Sequence, residues 1–188
     1  VQTCALPILF FGPPGCGKTT IAKIIANTTK SNFKQINATT AGKKEMEEAI
    51  SEAKISFSMY KKKTILFIDE IHRFNKSQQD YLLPFVEDGT VILIGATTEN
   101  PFFEVNKALI SRSRLLELKP LSYQDIETIL DRAIKDKERG MGRYEVEISK
   151  EAVEFLSKSA DGDARSALNA LELAILTTDI SEDGKIHI

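Results

Sequence analysis

With 188 residues and 42% hydrophobic content, the chain can bury one solid core, or a main domain with a small satellite, and no more than two compact units. Its 25 Lys and Arg against 27 Asp and Glu exclude the basic excess that marks nucleic-acid binding by composition, and the absence of Trp with 7% aromatics argues against a dedicated base-stacking platform. No run approaches the roughly twenty apolar residues that cross a bilayer, no leader pattern opens the chain, and Cys4 and Cys16 lack the paired spacing of a zinc or disulfide framework. The expectation is a soluble, unexported protein of a reducing cytosol, with any nucleic-acid contact made by local patches. The longest basic run, Lys61, Lys62 and Lys63, reads as the solvated entry to the apolar strand that follows it.

In chain order, residues 8–11 predict a strand, followed by a glycine-rich turn and a helical run, and then a second strand at 33–37. Met46, Ala49, Ile50, Ala53 and Phe57 share one face at helical spacing. Residues 64–68 predict a third strand. The segment 75–87 is helix-like, with Pro84 expected to kink or end it, and strands follow at 91–95 and 115–118. Several of these strands are continuously apolar, as parallel strands covered on both faces are. After Pro120 the strand signal nearly vanishes. Helices are predicted at 122–137, 150–159 and 163–178, the last burying Ala164, Ala167, Leu168, Leu171, Ala174 and Ile175, with a loop at 140–142. The fold expected is α/β: a P-loop NTPase with a parallel five-stranded sheet and helices on both faces over 1–119, then a small all-α domain over 120–188.

Gly12, Pro13, Pro14, Gly15, Cys16, Gly17, Lys18 and Thr19, continued by Thr20, match G-x-x-x-x-G-K-[ST] between a strand and a helix. The glycines let backbone N–H groups turn inward around phosphate oxygens, and the helix N-terminus adds partial positive charge. Lys18 is suited to the β- and γ-phosphates and the Thr19 hydroxyl to Mg²⁺, so the implied cofactors are ATP and Mg²⁺. Cys16 reads as a structural filler. Four apolar residues, 65–68, lead into Asp69 and Glu70, a Walker B pattern at the end of a buried strand, where open α/β sheets bind ligands. Asp69 is expected to hold the metal or its water, and Glu70 to act as general base. His72 reads as a helix-face or partner-contact histidine rather than a ligand, since no second histidine is near. Asn37 either hydrogen-bonds Glu70 as a switch or caps the next turn. Of Thr97 and Thr98, Thr98 is the better candidate to orient the lytic water. Arg112 and Arg114 follow the helix after the fourth strand, where ring-forming ATPases face a neighbour's nucleotide, and Arg165 opens the last helix opposite its apolar stripe.

The segments GPPGCGKTT, ILFIDEIHRFNKSQQDYLLPFVEDGT, IGATTENPFFEVNKALISRSRLLELKPL and GDARSALNALE resemble the RarA/MgsA family of AAA+ ATPases, which includes the Werner helicase-interacting proteins. The likeness runs from about Ile8 to Thr178. Its middle two segments separate the chain from clamp-loader subunits and from RuvB. The resemblance implies a DNA-stimulated, oligomeric ATPase that maintains replication forks. Its partners are forked or single-stranded DNA and single-strand binding protein, and its location is cytoplasmic, nucleoid-associated in a bacterium. It places Lys18 and Thr19 in Walker A, Asp69 and Glu70 in Walker B, Thr98 as sensor 1, Arg112 as the finger with Arg114 second, and Arg165 as sensor 2 of a lid domain. Three departures stand out: Cys16 replaces the commoner threonine, residues 37–45 differ from the usual pattern, and Val1 to Leu6 resembles nothing in the family. Sequence that in the family precedes the P-loop and follows the lid is expected to be missing. Other readings are a clamp-loader-like or RuvB-like subunit, and a scaffold that uses nucleotide only to set its shape.

Overall fold

A computed structural model describes residues 6–188, so Cys4 and the segment 1–5 lie outside it. The chain divides into two compact units. One contains Gly17–Leu118 with the strand that ends before Gly12; the other contains Pro13–Cys16 and Lys119–Ile188.

The first unit runs β1 (Ile8–Phe11), α1 (Lys18–Thr28), β2 (Asn32–Asn37), α2 (Lys43–Tyr60), β3 (Thr64–Asp69), a 3-10 turn at Ile71–Arg73, α3 (Lys76–Glu87), β4 (Ile92–Thr97), the short helices α4 (Pro101–Glu104) and α5 (Lys107–Ile110), and β5 (Arg114–Glu117). The strands form one parallel sheet in the order β2-β3-β4-β1-β5. Side chains alternate between its faces along each strand. On β3, Leu66 and Ile68 join the core made with Met46, Ala49, Ile50 and Ala53 of α2 and Leu82 and Val86 of α3. Ile65 and Phe67 point the other way, into the core made with Ala22 and Ala26 of α1. Burial on both faces accounts for strands that are apolar at every position.

α3 opens on a reciprocal cap: Asn75 Oδ1 accepts from Gln78 N–H and Gln78 Oε1 from Asn75 N–H, each at 2.9 Å. Pro84 neither stops the helix at once nor lies outside it. The helix continues three residues to Glu87, and Asp88 N–H donates to the Pro84 carbonyl at 2.9 Å. A proline near a helix end removes one hydrogen bond where few remain to be made. Lys61 to Lys63 are exposed, as the solvated-entry reading expects.

The second unit comprises α6 (Tyr123–Lys135), β6 (Val146–Glu147), α7 (Lys150–Ser159), α8 (Ala164–Thr177) and β7 (Ile186–His187). Ile126 and Leu130 of α6 pack with Ala167, Leu171 and Ile175 of α8, the expected stripe, and with Ile186. The unit is helical but not wholly so, because β6 and β7 form a two-stranded parallel pair. Two-residue strands are too short to show a period, which is why composition and spacing missed them.

Candidate nucleotide site

Because all five strands are parallel, their C-terminal ends lie on one edge of the sheet, and the register arranges the polar residues along it. Asn37 pairs with Asp69 across β2 and β3, and Phe11 with Thr97 across β1 and β4. Gly12 N–H donates to the Thr97 carbonyl at 3.2 Å. The edge therefore reads Asn37, Asp69, Thr97, Gly12. The connection after β1 runs out to β2 on one side and the connection after β4 to β5 on the other, which is the switch point where open α/β sheets bind ligands.

Backbone geometry makes the loop after β1 a cradle. Gly12 has φ +148°, and a Cβ there would lie 2.1 Å from the Leu118 carbonyl oxygen. Gly15 has φ +66°, and a Cβ would fall 1.7 Å from Oδ1 of Asp163. Larger residues are barred at both positions. Gly17 is the N-cap of α1, no side chain caps that helix, and no acidic residue sits in its first turn, so its leading end suits an anion. Lys18 is 8% exposed, and its Nζ donates to the Gly12 carbonyl at 2.8 Å, spanning the loop. Cys16 is buried, consistent with a packing role. Thr19 is partly buried and Thr20 exposed.

Glu70 follows Asp69 in a left-handed conformation, φ 52° and ψ 45°, costing a residue with a Cβ on the order of 1–3 kcal/mol. It turns the chain out of β3 into the 3-10 turn. Its Oε2 accepts from Thr98 Oγ1 at 3.3 Å and faces His72 Nδ1 at the same distance. Thr98 thus meets Glu70, whereas Thr97 is fully buried and faces His72. Asn37 takes the capping alternative: its Oδ1 accepts from Thr39 N–H at 2.9 Å and Thr39 Oγ1 at 2.8 Å, and the side chains facing Glu70 are Thr98 and His72. His72 is a correction. Its side chain does not stand out on a helix face: it is only 7% exposed and turned toward Thr97 and Glu70.

The two middle segments of the sequence prove to be bonded to each other. Gln79 is buried; its Nε2 donates to the Phe74 carbonyl at 2.9 Å and its Oε1 accepts from Asn106 N–H at 2.7 Å. Asn106 also donates to Asp80 Oδ1 and caps α5 through Ala108 N–H. Arg112, one turn on, pairs Nε with Glu87 Oε1 at 2.8 Å and donates to the Ala108 carbonyl at 2.9 Å. Arg114 is in register with Ile8 at the start of β1, so both arginines lie near the sheet edge opposite the phosphate loop. Four strand steps from Ile8 to Gly12 separate those edges by about 13 Å. In the second unit, Asp163 caps α8 by accepting from the N–H groups of Arg165 and Ser166, and the Arg165 side chain is exposed at that end. No group of three or more His, Cys, Asp or Glu able to hold a metal ion occurs among the described residues, nor is any of their helices long and apolar enough to cross a membrane.

A glycine loop with its lysine, an Asp-Glu pair and a threonine hydroxyl on one edge of a β2-β3-β4-β1-β5 sheet form the arrangement of a P-loop fold, and comparison with known proteins gives the family. Residues 8–121 match the "ATPase family associated with various cellular activities (AAA)" and residues 142–188 the "AAA C-terminal domain"; the chain belongs to the AAA ATPase family, whose members bind nucleotide. Within that family it is similar to the Replication-associated recombination protein A of Haemophilus influenzae (51% identical over 95% of this chain) and of Bacillus subtilis (48% over 96%). The chain spans 40% and 42% of the length of those relatives. Its fold is similar to the RuvB Holliday junction branch migration motor of Thermotoga maritima, with TM-score 0.69 and 27% identity over 92% of this chain and 55% of that one.

Proposed function

We propose that this chain is the ATP-hydrolysing core, 1–119, and the helical lid, 120–188, of an oligomeric AAA+ protein that acts on DNA in replication-fork maintenance, recombination and repair. The observation that carries the reading is the single sheet edge on which the loop after β1, Asp69, Glu70 and Thr98 come together. The DNA role rests on the names of the relatives.

ATP fits the cradle. The loop N–H groups and Lys18 receive the phosphates, Arg165 serves as sensor 2, and Thr19 and Asp69 offer the hard oxygen ligands that Mg²⁺ takes. Mg²⁺ supplies neutralisation of charge on the β- and γ-oxygens when bound. Glu70 accepts a proton from a water oriented with the help of Thr98. That oxygen bonds to the γ-phosphorus as the bond to the bridging oxygen breaks, giving ADP and phosphate. Arg112, on the opposite edge from its own cradle, serves the site of a neighbouring subunit.

The test is steady-state hydrolysis by the full-length protein, alone and with single-stranded, forked or four-way-junction DNA, and with single-strand binding protein added. Glu70→Gln is expected to lower turnover roughly a hundredfold or more while ATP stays bound. Unchanged turnover would remove Glu70 as base. Stimulation by forks supports the proposal. Stimulation by four-way junctions alone favours the RuvB-like reading, to which the structural similarity lends weight. Indifference to every DNA would keep the ATPase and replace its substrate with a protein.

A further inference from the structure

We propose that His72 is a positioning residue for the general base, tying Glu70 to the end of β4 through Thr97; the inference rests on the assignment of Glu70 above. Nδ1 of His72 lies 2.8 Å from Thr97 Oγ1 and 3.3 Å from Glu70 Oε2, and Thr97 Oγ1 in turn accepts the Glu99 N–H at 3.0 Å. The carboxylate decides the tautomer. An ionised glutamate offers only lone pairs, so a bare Nδ1 facing Oε2 would repel it, and the network assigns the proton to Nδ1. That N–H is then shared by Oε2 and Thr97 Oγ1, while the Thr97 hydroxyl hydrogen is left for the Glu99 carbonyl, 3.5 Å away.

The consequence is directional. Thr98 Oγ1 donates to the same Oε2, so two donors converge on one oxygen and leave Oε1 as the oxygen to face water. Both donors are anchored: Thr98 follows β4 directly, and the His72 ring is braced on Thr97, which is fully buried. A carboxylate on a turn gains its orientation from such partners, and orientation is a large part of what a general base contributes. His72 holds this geometry and takes no part in the proton transfer.

Four variants of the full-length protein test this, read by kcat, KM and the binding of a fluorescent non-hydrolysable ATP analogue. His72→Ala is expected to lower kcat roughly tenfold to a hundredfold, short of the loss in Glu70→Gln. KM and analogue affinity should stay within about twofold of wild type, the split expected when an interaction acts only in the transition state. His72→Asn, whose Nδ2 can occupy the Nδ1 position, restores most of kcat. His72→Gln, whose donor sits at the Nε2 distance, does not. Thr97→Val removes the brace while keeping its shape, and lowers kcat in the same direction should the alanine variant fail to fold. Loss of Glu70→Gln activity beside a normal His72→Ala would overturn the positioning role alone, whereas a fully active Glu70→Gln would sink the underlying assignment. Equal losses in the Asn and Gln variants, with nucleotide affinity falling in step, would reduce His72 to a packing residue.

Discussion

The α/β unit covers its sheet on both faces, and its candidate site's polar groups are drawn to one edge by strand register and tied by hydrogen bonds such as those of Lys18 to Gly12 and His72 to Thr97, both partly buried. The helical unit has one core between α6 and α8, and much of its local order comes from exposed devices. Ser122 and Asp125 cap α6 reciprocally, Asp136 accepts the N–H groups of Glu138 and Arg139, and Lys158 pairs with Glu154 along α7. Lys185 and His187, in and beside β7, meet Glu147 and Asp183. Hydrogen bonds in these devices hold the carboxyls of Asp125, Asp136, Glu154 and Asp183 below their ordinary range: chiefly the Ser122 hydroxyl, the Arg139 N–H, the Lys158 ammonium and the Lys185 N–H respectively. The contrast teaches where each unit is vulnerable. The first is expected to lose function before it loses structure, and the second to answer to solvent conditions.

The sharpest break of that contrast is Arg112→Ala. It should lower hydrolysis by on the order of a thousandfold, since a finger stabilises charge on the transferring phosphoryl group. Its partner Glu87 is half-exposed, so stability should scarcely change. Nucleotide affinity should also hold, and mixing with Lys18→Ala under subunit exchange should restore turnover; no restoration would end the assignment in trans. Next in size, Leu171→Ala empties a position 1% exposed at the centre of the helical core and should cost about 2–4 kcal/mol. Hydrogen exchange would show the loss over 121–188; equal loss across β3 and β4 would mean that the units do not differ as described.

Ser122→Ala should cost about 1 kcal/mol through the lost α6 cap, read by denaturant unfolding of the helical unit. The smallest effect is acid. Each depressed carboxyl binds a proton less readily folded than unfolded, so its stabilisation is complete above the unfolded value near pH 4 and is lost as pH falls through the folded value. Protection over α6 and α7, with the intrinsic pH dependence of amide exchange divided out, should therefore fall below about pH 4, and protection lower at pH 7 than at pH 4 would contradict it.

Lys18, Asp69 and Glu70 stood out as candidates because the proposed phosphate and metal roles use neighbours in sequence: a glycine turn with its lysine, a strand with its terminal carboxylates. Strand order, paired in advance only as βαβ units, was not. His72 was misread because its meaning depends on Thr97, 25 residues away, and nothing local to DEIHR signals that partner. Gln79 was passed over as one polar residue on a helix, though the tie to Asn106 buries it. Asn37 had two readings open, and only the position of Thr39 favours the cap.

What the sequence determined by itself was thus the set of parts: five parallel strands, a phosphate loop, an acidic pair, helices with their caps. Each of these is made by short-range steric and hydrogen-bonding rules that operate within a few residues. The tertiary structure decided the relations between them. It placed Thr98 rather than Thr97 beside Glu70, set Arg112 on the far edge from its own loop, and turned a histidine inward. Such relations come from strand register and packing between segments far apart in the chain, where a shift of a single residue sends a side chain to the other face of the sheet.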